Sequence, residues 1–447
     1  MQARLSSILI NTAIAVILSQ GISMLNRTDL ARSQSIAETL PQLLKDSQDG
    51  KEKDTETYLN RGISLFQQGD SKGAIAEYSR AIEINPNYAE AFVMRGIARY
   101  QLAETEGAIS DFDRAIQINP NYMEAYIVRG IARDDLGDNQ GAIADYSRAI
   151  EINPNYAKAY LYRGNVRDEL GDPAGAISDY NRAIQIDPND AKSYYNRGVS
   201  RYEQRDIKGA IADFDLAIKI NPNYVEAYVN RGNARDDLGD AAGAISDYNR
   251  AIEINPNDAF AHYNRGVTRY GQGDKKGSIA DFNRAIEINP NYANAYVMRG
   301  NVRDDSGDAE GAISDYNRAI EINPNFANVY FNRGITRSRL GDKEGASADY
   351  SRAIEINPNY ATAYLNRGAI RANMGDKNSA IADFNRAIEI NPNLALAYAN
   401  RGNIRIQLGD KPGAIQDFQK AADLFKQQGN QESYQEILQL LQELKRQ

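Results

Sequence analysis

Residues 225–258 read VEAYVNRGNARDDLGDAAGAISDYNRAIEINPND. Two apolar-periodic runs flank a Gly-Asp step, which is the pattern of two helices joined by a tight turn. Gly239 suits the left-handed residue that ends the first helix. Asp240 suits the cap of the second, because its carboxylate accepts the free backbone N–H groups there. Pro256 stops the second helix, since it has no N–H and clashes with the preceding turn. The stretch predicts a helical hairpin.

The same hairpin recurs. Pro86, Pro120, Pro154, Pro188, Pro222, Pro256, Pro290, Pro324, Pro358 and Pro392 fall in register every 34 residues. Counting back from each proline, and continuing the period once past Pro392, gives eleven units: 55–88, 89–122, 123–156, 157–190, 191–224, 225–258, 259–292, 293–326, 327–360, 361–394 and 395–428. A fixed period of this length marks a stack of supersecondary units, each burying its apolar face against its neighbours. A second rhythm of 68 residues lies over the first. Units 157–190, 225–258 and 293–326 share GN-x-RD and AISDY, while 191–224 and 259–292 share RG-V-x-RY and IADF. Residues 429–447 leave the pattern. Tyr434, Ile437, Leu438, Leu441 and Leu444 form one apolar stripe, as expected of a helix capping the last face of the stack.

The N-terminus differs in kind. Arg4 precedes an apolar run from Ile8 to Leu18, and Ser19-Gln20-Gly21 follows as a weak cleavage site. Residues 1–25 are therefore expected to act as a signal peptide or N-terminal membrane anchor, and 26–54 as a polar tether. Export or membrane anchoring follows from that reading; the alternative is a cytoplasmic protein with a non-functional leader. Net charge is -8, and the segment before the repeats is balanced, so the negative charge sits in the repeats. That argues against nucleic acid as a partner. With no cysteine, the chain has no disulfide, thiol chemistry or thiolate metal site.

The repeat resembles the tetratricopeptide family, whose pattern is an aromatic, Leu-Gly, Tyr, Ala-x3-Phe and Pro. Unit 225–258 fills those slots with Tyr228, Arg231-Gly232, Arg235, Ala244-x3-Tyr248 and Pro256. The resemblance implies an all-α, right-handed superhelical solenoid of eleven helical hairpins, and a non-enzymatic scaffold that binds other proteins. Gly62, Gly96, Gly300 and their equivalents are expected to let the two helices cross closely, opposite a small residue. Arginine in two slots that are normally apolar or aromatic is a departure. A buried arginine requires a partner. Asp247, Asp315 and their equivalents recur in step with the arginines and are the expected counter-ions.

Little in the chain could perform chemistry. The only histidine, His262, takes an aromatic packing slot. The acid pairs Asp134-Asp135, Asp168-Glu169, Asp236-Asp237 and Asp304-Asp305 are adjacent on a helix, so each pair splays about 100° apart and makes no converging dyad. No catalytic motif and no cofactor site is read.

In the family, one face of each first helix lines the inner curve. Carried over by resemblance, that face begins with an apolar slot, including Leu59, Val93, Ile127 and Phe331. Asparagines follow at Asn60, Asn196, Asn230, Asn264, Asn332, Asn366 and Asn400, and one turn later at Asn165, Asn233 and Asn301. Asp236, Asp237, Asp304 and Asp305 then alternate with Tyr202 and Tyr270. Side-chain amides both donate and accept, so a row of them suits the main chain of an extended peptide. The carboxylates favour a net-basic one. A structural array binding through its ends or outer face, including itself, is the competing reading.

Overall fold

The computed structural model describes residues 52–446, and every regular element among them is a helix. The expected leader and most of the tether lie outside the described residues. The first helix, Glu52–Gln67, starts earlier than the repeat register and takes in the last tether residues. The chain divides into two compact units, one up to Ala234 and one from Arg235. In each unit, hairpins stack on their sequence neighbours as an α-solenoid.

Hairpin 293–326 in the second unit illustrates the construction. Its helices are Ala293–Asp304 and Ala309–Ile322. Between them Gly307 takes φ +86°, a left-handed conformation that costs glycine nothing. Asp308 N–H closes the turn on the Arg303 carbonyl at 2.9 Å, and the Asp308 carboxylate accepts from Gly311 N–H at 2.9 Å. That bond satisfies one orphan donor at the second helix's start. At the far end, Asn323 Oδ1 accepts from Asn325 N–H at 3.1 Å, folding the Asn-Pro-Asn link into a side-chain-supported turn. The left-handed slot is glycine in most hairpins; Ala103 and Arg205 bear it at φ 60° and 65°.

The second helix supplies the core. Ala312, Tyr316 and Ala319 lie at helical spacing on one face and are buried. The glycine of the first helix has a different reason from the one expected. A Cβ on Gly300 would lie 2.7 Å from the Tyr316 ring, and one on Gly62 only 2.4 Å from the Tyr78 ring. Glycine makes room for an aromatic ring of its own hairpin, not for the crossing of two small residues.

The expected arginine–aspartate pairing is present, with more partners than anticipated. Arg299 grips Asp315 with two bonds, at 3.0 and 2.5 Å, and Arg303 adds a third at 2.8 Å. Asp315 is only 2% exposed. Arg299 Nη1 also donates to Asn283 Oδ1 of the preceding hairpin, at 2.6 Å. Its guanidinium lies 5.4 Å from the Tyr296 ring centre, close enough for a cation–π contact. In the first unit Arg163 repeats the set with Asp179 and Ser147. Each such arginine therefore ties together three helices, and the paired geometry is what makes a buried charge tolerable. The last helix, Gln431–Arg446, buries Ile437, Leu441 and Leu444 against Phe418, Leu424 and Phe425 of the final hairpin.

Candidate ligand face of the first helices

The first helices end at the Gly-Asp turns, and their last two turns carry the amides and carboxylates. The sequence predicts a row of amides facing a ligand. Several instead bond to each other between hairpins. Asn196 Nδ2 donates to Asn165 Oδ1 at 2.7 Å, and Tyr180 OH donates to the same oxygen at 3.0 Å. Asn332 Nδ2, at 3.1 Å, and Tyr316 OH, at 2.9 Å, repeat this on Asn301 Oδ1. Asn230 Nδ2 donates to the Tyr195 hydroxyl at 2.8 Å. Asn60 is exposed, while Asn233, Asn264, Asn366 and Asn400 are half-buried. Among the described residues, Asn264 Nδ2 is buried without a partner. The apolar slot is mostly core: Val93 and Ile127 have no exposed surface and Leu59 only 3%, so those side chains cannot touch a ligand. Their helices are packed on both sides, and the first-helix face narrows to the residues beyond them.

The carboxylates sit at the rim. Asp304 is half-buried; it accepts from Thr336 Oγ1 at 2.9 Å and pairs with the Arg339 guanidinium. Asp305 is exposed and accepts from the Tyr270 hydroxyl, while Lys275 Nζ donates to its carbonyl at 2.6 Å. Burial, then the Asp305 bond and the charges of Asp305 and Asp304, push the Tyr270 phenol up to about 12. In the first unit Asp168 accepts from Ser200 Oγ at 2.8 Å. Burial holds its carboxyl above the ordinary range, with the Ser200 bond acting in the opposite sense. Asp236 and Tyr202 are half-buried and Asp237 is exposed.

Ser200, Thr336, Arg339 and Lys275 escaped the sequence reading. A signal was present, because Ser200, Thr268 and Thr336 recur at 68-residue spacing, one helical turn after Asn196, Asn264 and Asn332. His262 packs as expected, 6% exposed, with Nε2 3.2 Å from the Pro256 carbonyl. Tyr228 bonds to Pro222 in the same way. A carbonyl only accepts, so Nε2 is the donor in this bond.

A family model described as TPR repeat matches residues 62–103, 135–171, 164–204, 232–273, 300–341 and 339–375. Models described as tetratricopeptide repeat match 191–224, 259–292 and 361–394, and also 89–122 and 395–428. The chain belongs to the tetratricopeptide repeat family. Among solved structures it is similar to MamA, at 27% identity over 37% of this chain and 96% of that one, with a TM-score of 0.35. It is also similar to YrrB, described as a TPR protein with an unusual peptide-binding site (20% identity, 41% and 95% covered, TM-score 0.36). Yeast Tom70 matches at 16% identity over 89% of this chain and 96% of its own, with a TM-score of 0.40. No curated protein matches the chain. An array of these repeats is a protein-interaction scaffold. Among the described residues, no helix is long and apolar enough to cross a membrane.

Proposed function

We propose that this scaffold holds extended, net-basic segments of partner proteins along the ends of its first helices, and that it performs no catalysis. The observation that carries the reading is the recurrence of carboxylates at one position, Asp168, Asp236 and Asp304, two hairpins apart, on a chain of net charge -8. Opposite charge steers a basic segment to such a surface, and the attraction weakens with salt. Half-buried amides such as Asn366 and Asn400 lie on first helices of later hairpins and can bond a peptide main chain. Tyr202 and Tyr270 add ring faces for cationic side chains.

Screening an extended-peptide library against the full chain at low and high salt tests this. Basic peptides are expected to dominate, with affinity falling as salt rises and falling again in the Asp236→Asn, Asp237→Asn double variant. Acidic or purely apolar ligands, or affinity unmoved by salt, would overturn it. The proposed location is outside the cytoplasm or at a membrane, on the strength of the apolar run Ile8 to Leu18. Cell fractionation with and without residues 1–25 checks it; a soluble cytoplasmic full-length protein would count against it.

A further inference from the structure

Four hairpins carry an aspartate at this position of the first helix, Asp134, Asp168, Asp236 and Asp304, and the chain surrounds the last three differently. At Asp304 the next hairpin supplies a hydroxyl, Thr336, and a guanidinium, Arg339. Thr336 lies 32 residues on and Arg339 35 residues on. At Asp168 the hydroxyl is again supplied, by Ser200 at the same offset, but the position of Arg339 holds the exposed carboxylate Glu203. At Asp236 the position of Arg339 is Gly271. There the equivalent hydroxyl, Thr268 Oγ1, is buried with no partner among the described residues, in a residue only 4% exposed. An orphaned buried hydroxyl is costly unless something bonds to it.

From this we infer that Asp168 and Asp236 are seats for arginine side chains of a bound protein segment, and that Arg339 is the chain's own arginine in the third seat, at Asp304. The inference rests on the groove reading above and names the side chain that the groove selects. The internal pair shows how a guanidinium approaches this carboxylate, from the next hairpin and beside the hydroxyl. Arginine fits better than lysine, because its planar fork can engage Asp168 and a second acceptor together. In the first unit Glu203 stands where the third seat has Arg339, so the chain supplies no guanidinium to Asp168 from that position. A metal ion is the other cation such acids suggest, but among the described residues no group of three such side chains converges to hold one.

The probe is a fluorescent peptide of four Gly-Ser-Arg triplets, with a citrulline version that keeps the shape and removes the charge. Binding is read by anisotropy on the full chain. Glu203→Arg, which supplies the missing guanidinium internally, is expected to weaken the arginine peptide about ten-fold. Asp168→Asn should weaken it comparably, and Arg339→Ala, which frees Asp304, should tighten it several-fold. Glu344→Arg makes the same charge change at an exposed site on a second helix and should shift affinity by about two-fold at most. The citrulline peptide should bind too weakly to measure. If the arginine peptide binds in a salt-dependent way and Glu203→Arg behaves like Glu344→Arg, the seats are refuted and the groove reading stands. If neither the arginine peptide nor any other basic peptide binds, both fall.

Discussion

Asp315 and Asp304 belong to one hairpin and do opposite things. Asp315, on the second helix, is buried and held by three guanidinium bonds. Its equivalents Asp111, Asp145, Asp179, Asp213, Asp281, Asp349, Asp383 and Asp417 are buried in the same way. Asp304, at the end of the first helix, is half-buried, and its position changes from hairpin to hairpin: Tyr100, Asp134, Asp168, Tyr202, Asp236, Tyr270, Ser338, Ala372. Ten of the eleven units place Asp at this position, the first having Glu77, and those ten share one need, which is to neutralise two arginines at the inter-helix seam. A position that varies while the fold does not is free to answer to something outside the fold.

The comparison is most severely tested by Asp315→Ala. It leaves Arg299 without its counter-ion and Arg303 with only Asp308 at 3.7 Å, and removing one partner of a buried pair costs ~3–5 kcal/mol. Asp305→Ala, at the exposed end of the first helix, should cost under ~1 kcal/mol, the worth of one hydrogen bond from Tyr270. Urea midpoints of the two variants check this; equal midpoints would erase the distinction between seam and rim.

Gly300→Ala comes next. Alanine favours the helix by ~1 kcal/mol over glycine, but its Cβ would lie 2.7 Å from the Tyr316 ring. Overpacking of this kind costs ~1–3 kcal/mol, so a net loss of stability is expected in a thermal melt. A more stable variant would show that the ring can move aside.

Two further predictions use pH, and their signs differ. For Asp281, burial raises the carboxyl, but His262, Arg265 and Arg269 outweigh it and hold the group below its ordinary range. The stability this gives is present above the unfolded value of about 3.9 and is lost as pH falls through the lower folded value. The advantage of wild type over Asp281→Asn should therefore be full near neutrality and shrink only under acid. Asp168 is raised by burial, so its ionised form is the disfavoured one in the fold. Its cost is present above the raised value and is relieved as pH falls through it. The gap between wild type and Asp168→Asn should move slightly in wild type's favour on acidification. Urea midpoints over a pH series measure both; parallel curves for the two aspartates would contradict the assignment of burial and pairing.

The fold was legible because its signals are local. Gly307, Asp308 and Pro324 punctuate each hairpin within its own sequence, and the arginines and aspartates keep step at offsets of 12 and 16 residues inside one hairpin. The rim was less legible. Ser200, Thr336 and Arg339 reach back to the preceding first helix of their own kind, and nothing in the family pattern marks those positions. The amides misled for a related reason: Asn165 and Asn196 each look free in their own repeat, and only stacking brings one onto the other. The ring against Gly300 depends on how closely two helices approach, which periodicity does not encode.

The side-chain ties between helices span 12 to 35 residues, all shorter than the 68-residue pair. A tandem duplication or excision of one pair therefore carries whole sets of donors and acceptors and leaves their offsets unchanged. Losing 259–326 would bring Thr336 and Arg339 to the same offsets from Asp236 that they now have from Asp304. Recombination between neighbouring repeats could thus convert a seat awaiting a partner's arginine into one filled by the chain itself, changing what the array recognises without a single point mutation.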